Sequence, residues 1–149
     1  LELNLNSDLS DDLDIFVNLG LLNTKIKSWE SRPEIEGREQ AHAPSNSYSF
    51  GLNYRPTPVT YLNLHATGKS GFYYSDSHNN KSDSYILLNS SFGYNYEDWV
   101  VELWVRNLFD EYYATRGFYF GNEAPDFADT LYERHGDPRH FGLSIRYDF

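Results

Sequence analysis

Two polar stretches of the sequence carry side chains that could bind a small ligand. The stretch 116–137 combines aromatic rings with cationic groups, and the stretch 75–83 adds a carboxylate and an imidazole. Rings stack on flat or apolar molecules, and arginine pairs with anions. Both stretches are therefore predicted to form part of a ligand-binding rim, with self-packing of the loops as one alternative. The candidate ligand-binding residues are Arg116, Tyr119, Phe120, Tyr132, Arg134, His135, Asp76 and His78.

Catalytic and metal-binding patterns are much weaker. The five histidines show neither H-x-x-x-H nor H-E-x-x-H spacing, and Asp76 with His78 is the one pair whose types and spacing suit metal ligands. There is no nucleophile elbow, phosphate-binding loop or dinucleotide fingerprint, and the carboxylates form no recognisable acid–base pair. The chain is therefore predicted not to be an enzyme and to use no cofactor or resident metal.

Composition narrows the class of protein. The 149 residues carry a formal net charge of −10, which argues against a nucleic-acid partner because such partners require a basic surface. Cysteine is absent, which excludes disulfide frameworks and thiolate metal sites. No apolar run approaches the roughly 18 residues that a membrane helix needs. Aromatic residues make up 17% of the chain, an excess suited to a membrane interface or a ligand surface.

The elements that must position these stretches are strands. From Phe141 to the end of the sequence, apolar and polar residues alternate without a slip, which is typical of a strand with one apolar face. The same alternation recurs along the chain. The predicted strands are 1–9, 13–23, 46–55, 59–74, 84–96, 99–113 and 139–149. The fold is therefore predicted to be all-β, antiparallel and up-and-down.

The connections between the predicted strands alternate in length. Residues 10–12, 55–58 and 97–98 form short turns, whereas 24–45, 75–83 and 116–137 form longer loops. Transmembrane β-barrels show this asymmetry, with tight periplasmic turns and extended extracellular loops. The pattern predicts a wall in a bacterial outer membrane, in contact with lipid and with lipopolysaccharide, and lipopolysaccharide contact is the second alternative for the candidate rim.

Aromatic side chains collect at both predicted ends of the wall. Those near the long loops are Phe72, Tyr73, Tyr74, Tyr85, Tyr112 and Tyr113. Those near the short turns, predicted to lie at the membrane interface, are Tyr54, Tyr94, Tyr96, Trp99, Tyr147 and Phe149. Two such bands are what amphipathic rings prefer at the two surfaces of a bilayer.

Seven antiparallel strands do not close a bacterial barrel, because single-chain barrels have even strand numbers and an open edge in lipid leaves backbone groups unpaired. The chain is therefore predicted to be the C-terminal part of a larger barrel, an open and incomplete sheet. Two other classes stay open: a passive porin or adhesin barrel, and a soluble β-sandwich that binds sugars through its rings. An outer-membrane enzyme is disfavoured because no nucleophile constellation is visible.

Three segments resemble TonB-dependent outer-membrane receptors, in that family's order. The segment 105–113 resembles the motif of the penultimate strand, 136–139 followed by the aromatic strand ending at Phe149 resembles the C-terminal signature, and 37–54 is similar to the approach to an earlier strand. The resemblance extends over essentially the whole chain. Its motif residues are Asn107, Leu108, Phe109, Asp110, Tyr113, Pro138, Arg139 and Phe149.

This resemblance implies a barrel of about 22 strands whose lumen is plugged by an N-terminal domain that is absent here. It implies TonB-energised uptake of a scarce small molecule such as a metal chelate, most often a ferric siderophore. The implied partners are the plug domain, the TonB complex acting through that plug, and the barrel-assembly machinery, which would read the C-terminal strand.

Local chemistry gives some motif residues structural roles. Asn107 is predicted to bond the nearby backbone where the sixth strand leaves its ladder. Asp110 and Glu111 are predicted to face Arg116 or Arg139. The charged residues predicted to face the lumen are Glu2, Asp14, Arg55, Glu102, Arg106, Arg146 and Asp148.

Overall fold

Nine strands and one short helical turn make up the fold. The computed structural model describes all 149 residues. The strands are β1 (Glu2–Ser10), β2 (Leu13–Leu21), β3 (Asn46–Thr57), β4 (Thr60–Lys69), β5 (Tyr85–Tyr96), β6 (Trp99–Arg106), β7 (Ala114–Phe120), β8 (Thr130–His135) and β9 (His140–Tyr147). A 3-10 turn covers Pro33–Ile35. The structure contains no helix of the length and apolarity that crossing a membrane requires.

Seven of the strands form one sheet in the order β1-β2-β3-β4-β5-β6-β9, and β7 and β8 form a separate hairpin. Every neighbouring pair in the large sheet is antiparallel. The outer strands β1 and β9 each have one partner, so the sheet is open at both edges. The prediction of an all-β, antiparallel, up-and-down and incomplete wall of seven strands is confirmed.

The register aligns the apolar residues across the sheet. One row runs from β2 to β9 through Leu13, Tyr54, Leu62, Phe92, Leu103 and Leu143. Leu103 and Leu143 remain 58% and 57% exposed, and the buried apolar residues Ile35, Phe72 and Tyr74 all lie in loops. No second layer covers the apolar face, so the soluble β-sandwich alternative is wrong for this chain.

The opposite face of the sheet is polar and internally bonded. The Asn18 side chain donates to Ser49 Oγ at 3.0 Å, and Tyr61 Oη donates to Glu102 Oε2 at 3.0 Å. A face that satisfies its polar groups with one another suits the wet interior of a barrel, whereas the apolar face suits hydrocarbon.

Inward-facing rings on this polar face lie across glycines of the neighbouring strand. The pairs are Phe16 with Gly51, Tyr61 with Gly93, and Trp104 with Gly142. A Cβ on Gly51 would lie 1.9 Å from Phe16 Cε1, and a Cβ on Gly93 would lie 2.0 Å from Tyr61 Cζ. Glycine is required at these positions because the ring occupies the space of its side chain.

Three predicted boundaries are wrong. The fourth strand ends at Lys69 rather than Tyr74, because Phe72 and Tyr74 turn inward and become 2% and 4% exposed. The sixth strand ends at Arg106 rather than 113, because Asn107 adopts a positive φ of 50° that leaves the ladder. The segment 116–137, predicted as a loop, contains most of the β7–β8 hairpin, whose consecutive rings Phe118, Tyr119 and Phe120 are residue types that favour strands.

Candidate ligand-binding surface at the long-loop end

The three long connections, 22–45, 70–84 and 107–139, lie at one end of the sheet, and we call them the first, second and third loops. Arg38 of the first loop clamps the second. Its Nη1 donates to the carbonyl of His78 and to Asn79 Oδ1, both at 2.8 Å. Its Nη2 donates to the carbonyls of Ser75, at 3.1 Å, and Asp76. A planar guanidinium can hold these acceptors together, which a single ammonium group cannot.

Replacing Arg38 with lysine is expected to release the second loop while keeping the charge. Lysine loses the fork that holds several acceptors, so amide hydrogen exchange in 75–79 should become about tenfold faster. Hydrogen–deuterium exchange with mass spectrometry measures this. Arg106 provides a control because it is exposed and forms no side-chain bond, and Arg106→Lys should leave the loop unchanged. Equal exchange in both variants would show that the clamp does not order the loop.

The second loop also contacts the β7–β8 hairpin. The His78 ring stacks on Tyr119, with centroids 3.6 Å apart and planes at 6°, and His78 Nε2 lies 3.5 Å from Asp129 Oδ2. Burial, and after it Glu133, raises the pKa of the Tyr119 hydroxyl, which has no hydrogen-bond partner. Asp76 Oδ1 accepts a bond from the Ala41 amide at 2.9 Å. Three predicted ligand residues are thus engaged in joining the loops.

The hairpin has two unlike faces. One packs on the second loop, where a Cβ on Gly117 would lie 2.5 Å from the Tyr74 ring. Register places the side chains of the other face together, and these are Arg116, Phe118, Phe120, Tyr132 and Arg134. Four of the predicted ligand residues therefore share this second face, which we call the arginine–aromatic face.

The remaining candidate, His135, lies apart from that face. Its ring stacks on Tyr112 at 4.2 Å, and its Nε2 lies 3.7 Å from Glu133 Oε2. Tyr132 Oη on the arginine–aromatic face donates to Glu123 Oε1 at 3.0 Å, and this bond raises the pKa of the Tyr132 hydroxyl. Ligand contact by any of the eight candidates stays a prediction.

Sequence reasoning missed Lys69 and His42. Lys69 lies at the end of β4, and its Nζ lies 4.4 Å from the centroid of the Phe72 ring. The His42 ring lies 5.5 Å from that of Phe72 and 6.2 Å from that of Phe118. Partial burial first, and then the Arg116 guanidinium, lower the pKa of His42. The sequence could have indicated Lys69, because it is a cation on the polar row of a predicted strand, whereas nothing in the sequence pattern indicated His42.

The motif residue Asn107 connects the third loop to the wall. Its Nδ2 donates to the carbonyls of Glu111 at 2.9 Å and Asp137 at 3.1 Å, and its Oδ1 accepts from the Glu111 amide at 2.9 Å. Its own amide donates to Asn89 Oδ1 at 3.0 Å. The residue is 4% exposed, so these bonds are shielded from water. The predicted backbone-bonding role of Asn107 is confirmed.

Asp110 holds the start of β9. Its Oδ1 accepts from the Arg139 amide at 2.7 Å, and its Oδ2 lies 4.0 Å from Arg139 Nη2. Arg139 Nη1 also donates to the Leu108 carbonyl at 3.3 Å. Of the two partners predicted for Asp110, Arg139 is therefore the right one. The prediction for Glu111 is wrong, because its carboxylate pairs with neither arginine and its backbone instead bonds to the Asn107 side chain.

Other motif residues use their rings or remain exposed. Tyr113 lies 4.5 Å from the Tyr85 ring and covers Gly136, the residue that precedes Asp137 and Pro138. Phe109 is 70% exposed, and Phe149 is fully exposed. The aromatics near the short turns contact one another: Trp99 lies 4.7 Å from Tyr147, and Tyr94 stacks on Tyr96 at 6.3 Å. Their membrane-interface placement, including that of Tyr54, stays a prediction.

Solved structures share this architecture. The siderophore receptor PiuA from Acinetobacter baumannii is 18% identical, with a TM-score of 0.82 over 98% of this chain and 21% of its own. The ferric yersiniabactin uptake receptor FyuA from Yersinia pestis is 18% identical, with a TM-score of 0.80 over 99% and 23%. The ferric-catecholate import receptor Fiu from E. coli K12 is 16% identical, with a TM-score of 0.71 over 97% and 20%. No family model matches the chain.

The fold and these likenesses define the structural class: the chain forms an open, antiparallel sheet like a segment of a β-barrel wall. More particularly, it has the fold of a barrel segment of the TonB-dependent receptors, and the resemblance first seen in the sequence motifs is confirmed at the level of the fold. The chain spans about a fifth of the length of these structures. They are named as receptors, not as enzymes.

Proposed function

We propose that the chain is the C-terminal barrel segment of an outer-membrane receptor that takes up a scarce substrate in a Gram-negative bacterium, with a ferric siderophore as the substrate. The observation that carries this proposal is the seven-stranded wall itself, which matches siderophore and ferric-chelate receptors over 97–99% of its length. Its exposed apolar rows fit lipid, and its polar face fits a wet lumen.

Transport belongs to the whole receptor in this proposal. The open edges at β1 and β9 leave backbone groups unpaired, which lipid does not tolerate, so further strands must pair with them. A plug domain outside this chain fills the lumen, and the TonB complex acts on that plug. The barrel-assembly machinery engages the C-terminal strand, and the long loops meet the substrate outside the cell.

Uptake by the complete receptor tests the proposal. Deleting its gene should abolish the accumulation of radioactive iron supplied as its siderophore, and complementation should restore accumulation only in cells that have TonB. The same strains grown with abundant iron serve as the control and should grow alike. Accumulation that persists without TonB would instead indicate a passive porin, and unchanged accumulation in the deletion strain would contradict the function.

A further inference from the structure

We propose that the long-loop end carries a seat for a negatively charged ligand, formed by Lys69, His42, Arg116 and Arg134 with the rings of Phe72 and Phe118. The inference rests on the proposed receptor function and adds the charge class of the substrate, which is an anionic iron chelate rather than a neutral or cationic one.

The two arginines of the hairpin lie next to each other although their like charges repel. Arg116 and Arg134 are directly opposite residues of β7 and β8. Like charges at directly opposite positions of an antiparallel pair are destabilising. Neither guanidinium forms a salt bridge, although the chain has 22 acidic residues against 12 basic ones. A bound anion between the two arginines would offset their repulsion.

Lys69 and His42 extend the positive region toward the wall. Lys69 lies on the polar face of β4, over the rings of Phe72 and Tyr85 at 4.4 and 5.5 Å, and it has no carboxylate partner. The His42 ring lies 5.5 Å from the Phe72 ring, over which Lys69 lies, and 6.2 Å from the Phe118 ring, over which Arg116 lies, so the two cations lie near the same imidazole.

Burial and the nearby cations lower the pKa of the His42 imidazole, whereas the negative charge of the Asp76 carboxylate opposes these effects and favours a higher pKa. One of its oxygens already accepts the Ala41 amide at 2.9 Å. The Glu123 carboxylate also lies near this region and accepts the Tyr132 hydroxyl at 3.0 Å, whereas the lysine and the two arginines of the seat form no salt bridge. The seat therefore has charge available for an incoming anion.

The side chains match an anion with a flat or apolar body. Guanidinium groups bind carboxylate or phenolate oxygens through paired N–H donors, and the adjacent rings pack on the carbon framework of the ligand. Arg116 lies over the Phe118 ring at 4.2 Å, which presents both features at one place. Catecholate complexes of iron(III) have both the negative charge and the rings, and ferric citrate has the charge alone, whereas a neutral hydroxamate complex gains nothing from the cations.

Binding to the purified full-length receptor tests the seat. The probes are ferric citrate, an anionic iron(III)–catecholate complex and neutral tris(acetohydroxamato)iron(III). Quenching of tryptophan fluorescence measures the binding of each. Arg116→Gln with Arg134→Gln should weaken binding of the anionic complex that the receptor takes by about tenfold or more. Lys69→Gln alone should weaken the same binding and make it less sensitive to salt.

Two control variants isolate the role of charge at this place. Lys25→Gln with Lys27→Gln removes the same number of charges from exposed, unpaired lysines of the first loop, and binding should stay within about twofold. Arg116→Lys with Arg134→Lys keeps the charge but loses the paired donors, so it should bind more weakly than the parent and more tightly than the glutamine variant. Thermal unfolding of each variant checks that the barrel has assembled.

Several results would overturn the seat. The inference is wrong if the glutamine variant binds the anionic complex as tightly as the parent does. It is also wrong if the variant loses as much affinity for the neutral complex as for the anionic one. Poor assembly of the glutamine variant that the lysine variant rescues would show that the arginines pair with acidic residues elsewhere in the receptor. If the receptor binds only the neutral complex, the proposed function stands and the inference of an anion seat is wrong. If it binds no iron complex and supports no uptake, both are wrong.

Discussion

Replacing Asn107 with alanine is expected to lower the free energy of unfolding of the assembled receptor by about 3 kcal/mol, because buried backbone groups left without partners cost about 1–3 kcal/mol each. The substitution removes the side-chain bonds to the Glu111 amide and to the carbonyls of Glu111 and Asp137. It also places alanine at a φ of 50°, which asparagine tolerates better. Denaturant-induced unfolding in detergent micelles measures the change.

Companion variants separate the bonds from the backbone strain at this position. Asn107→Gly keeps the positive φ free of strain but loses the same bonds, so it should recover only part of the lost stability. Asn107→Asp keeps the acceptor for the Glu111 amide but sets a carboxylate against two carbonyls, so it should remain destabilised. Asn80→Ala, at an exposed loop position, is the matched control and should be neutral. An Asn107→Ala receptor as stable as the parent would show that the network has no energetic weight.

Replacing Gly51 with valine is expected to prevent proper assembly of the wall or to cost at least about 3 kcal/mol, the upper range for overpacking. A Cβ at Gly51 would lie 1.9 Å from Phe16 Cε1 and 2.3 Å from Cζ, so the ring or the strand has to move. Phe16 and Gly51 are directly opposite residues of β2 and β3, so the ring occupies the space that the valine side chain would need. Heat-modifiable migration on gels and the unfolding midpoint report assembly.

A second-site change provides the sharper test. Phe16→Ala with Gly51→Val should be more stable than Gly51→Val alone, since removing the ring opens the space that valine needs. Asn53→Val, two residues along the same face of β3, should be tolerated because Asn53 forms no side-chain hydrogen bond. Failure of Phe16→Ala to rescue the valine variant would mean that the ring is not what requires glycine.

The candidate site was only partly accessible from the sequence. Arg116, Phe120, Tyr132 and Arg134 were predicted as a loop cluster, and they do share one hairpin face, because strand alternation sorts them. His135 belonged to the same stretch but lies on the other side beside Tyr112. The alternation of β8 places it there, one residue after Arg134, and the sequence prediction missed this because it treated 116–137 as a loop.

The sequence by itself determined the wall. A period of two assigns every side chain of a strand to one of two faces, so the apolar and polar rows, the antiparallel order and the alternation of short and long connections follow from local chemistry. Strand ends were determined less well: where β4 and β6 stop depends on rings that turn inward at Phe72 and on the backbone at Asn107.

Only the tertiary structure decided what the loops do. The Arg38 clamp joins residues 37 to 41 positions apart, and His78 meets Tyr119 from a different loop. Likewise, Lys69 and His42 come together with Arg116 only after the first and third loops settle against the end of β4. Loop residues have no repeating geometry that relates position in the chain to position in space, and so their contacts arise from packing rather than from pattern.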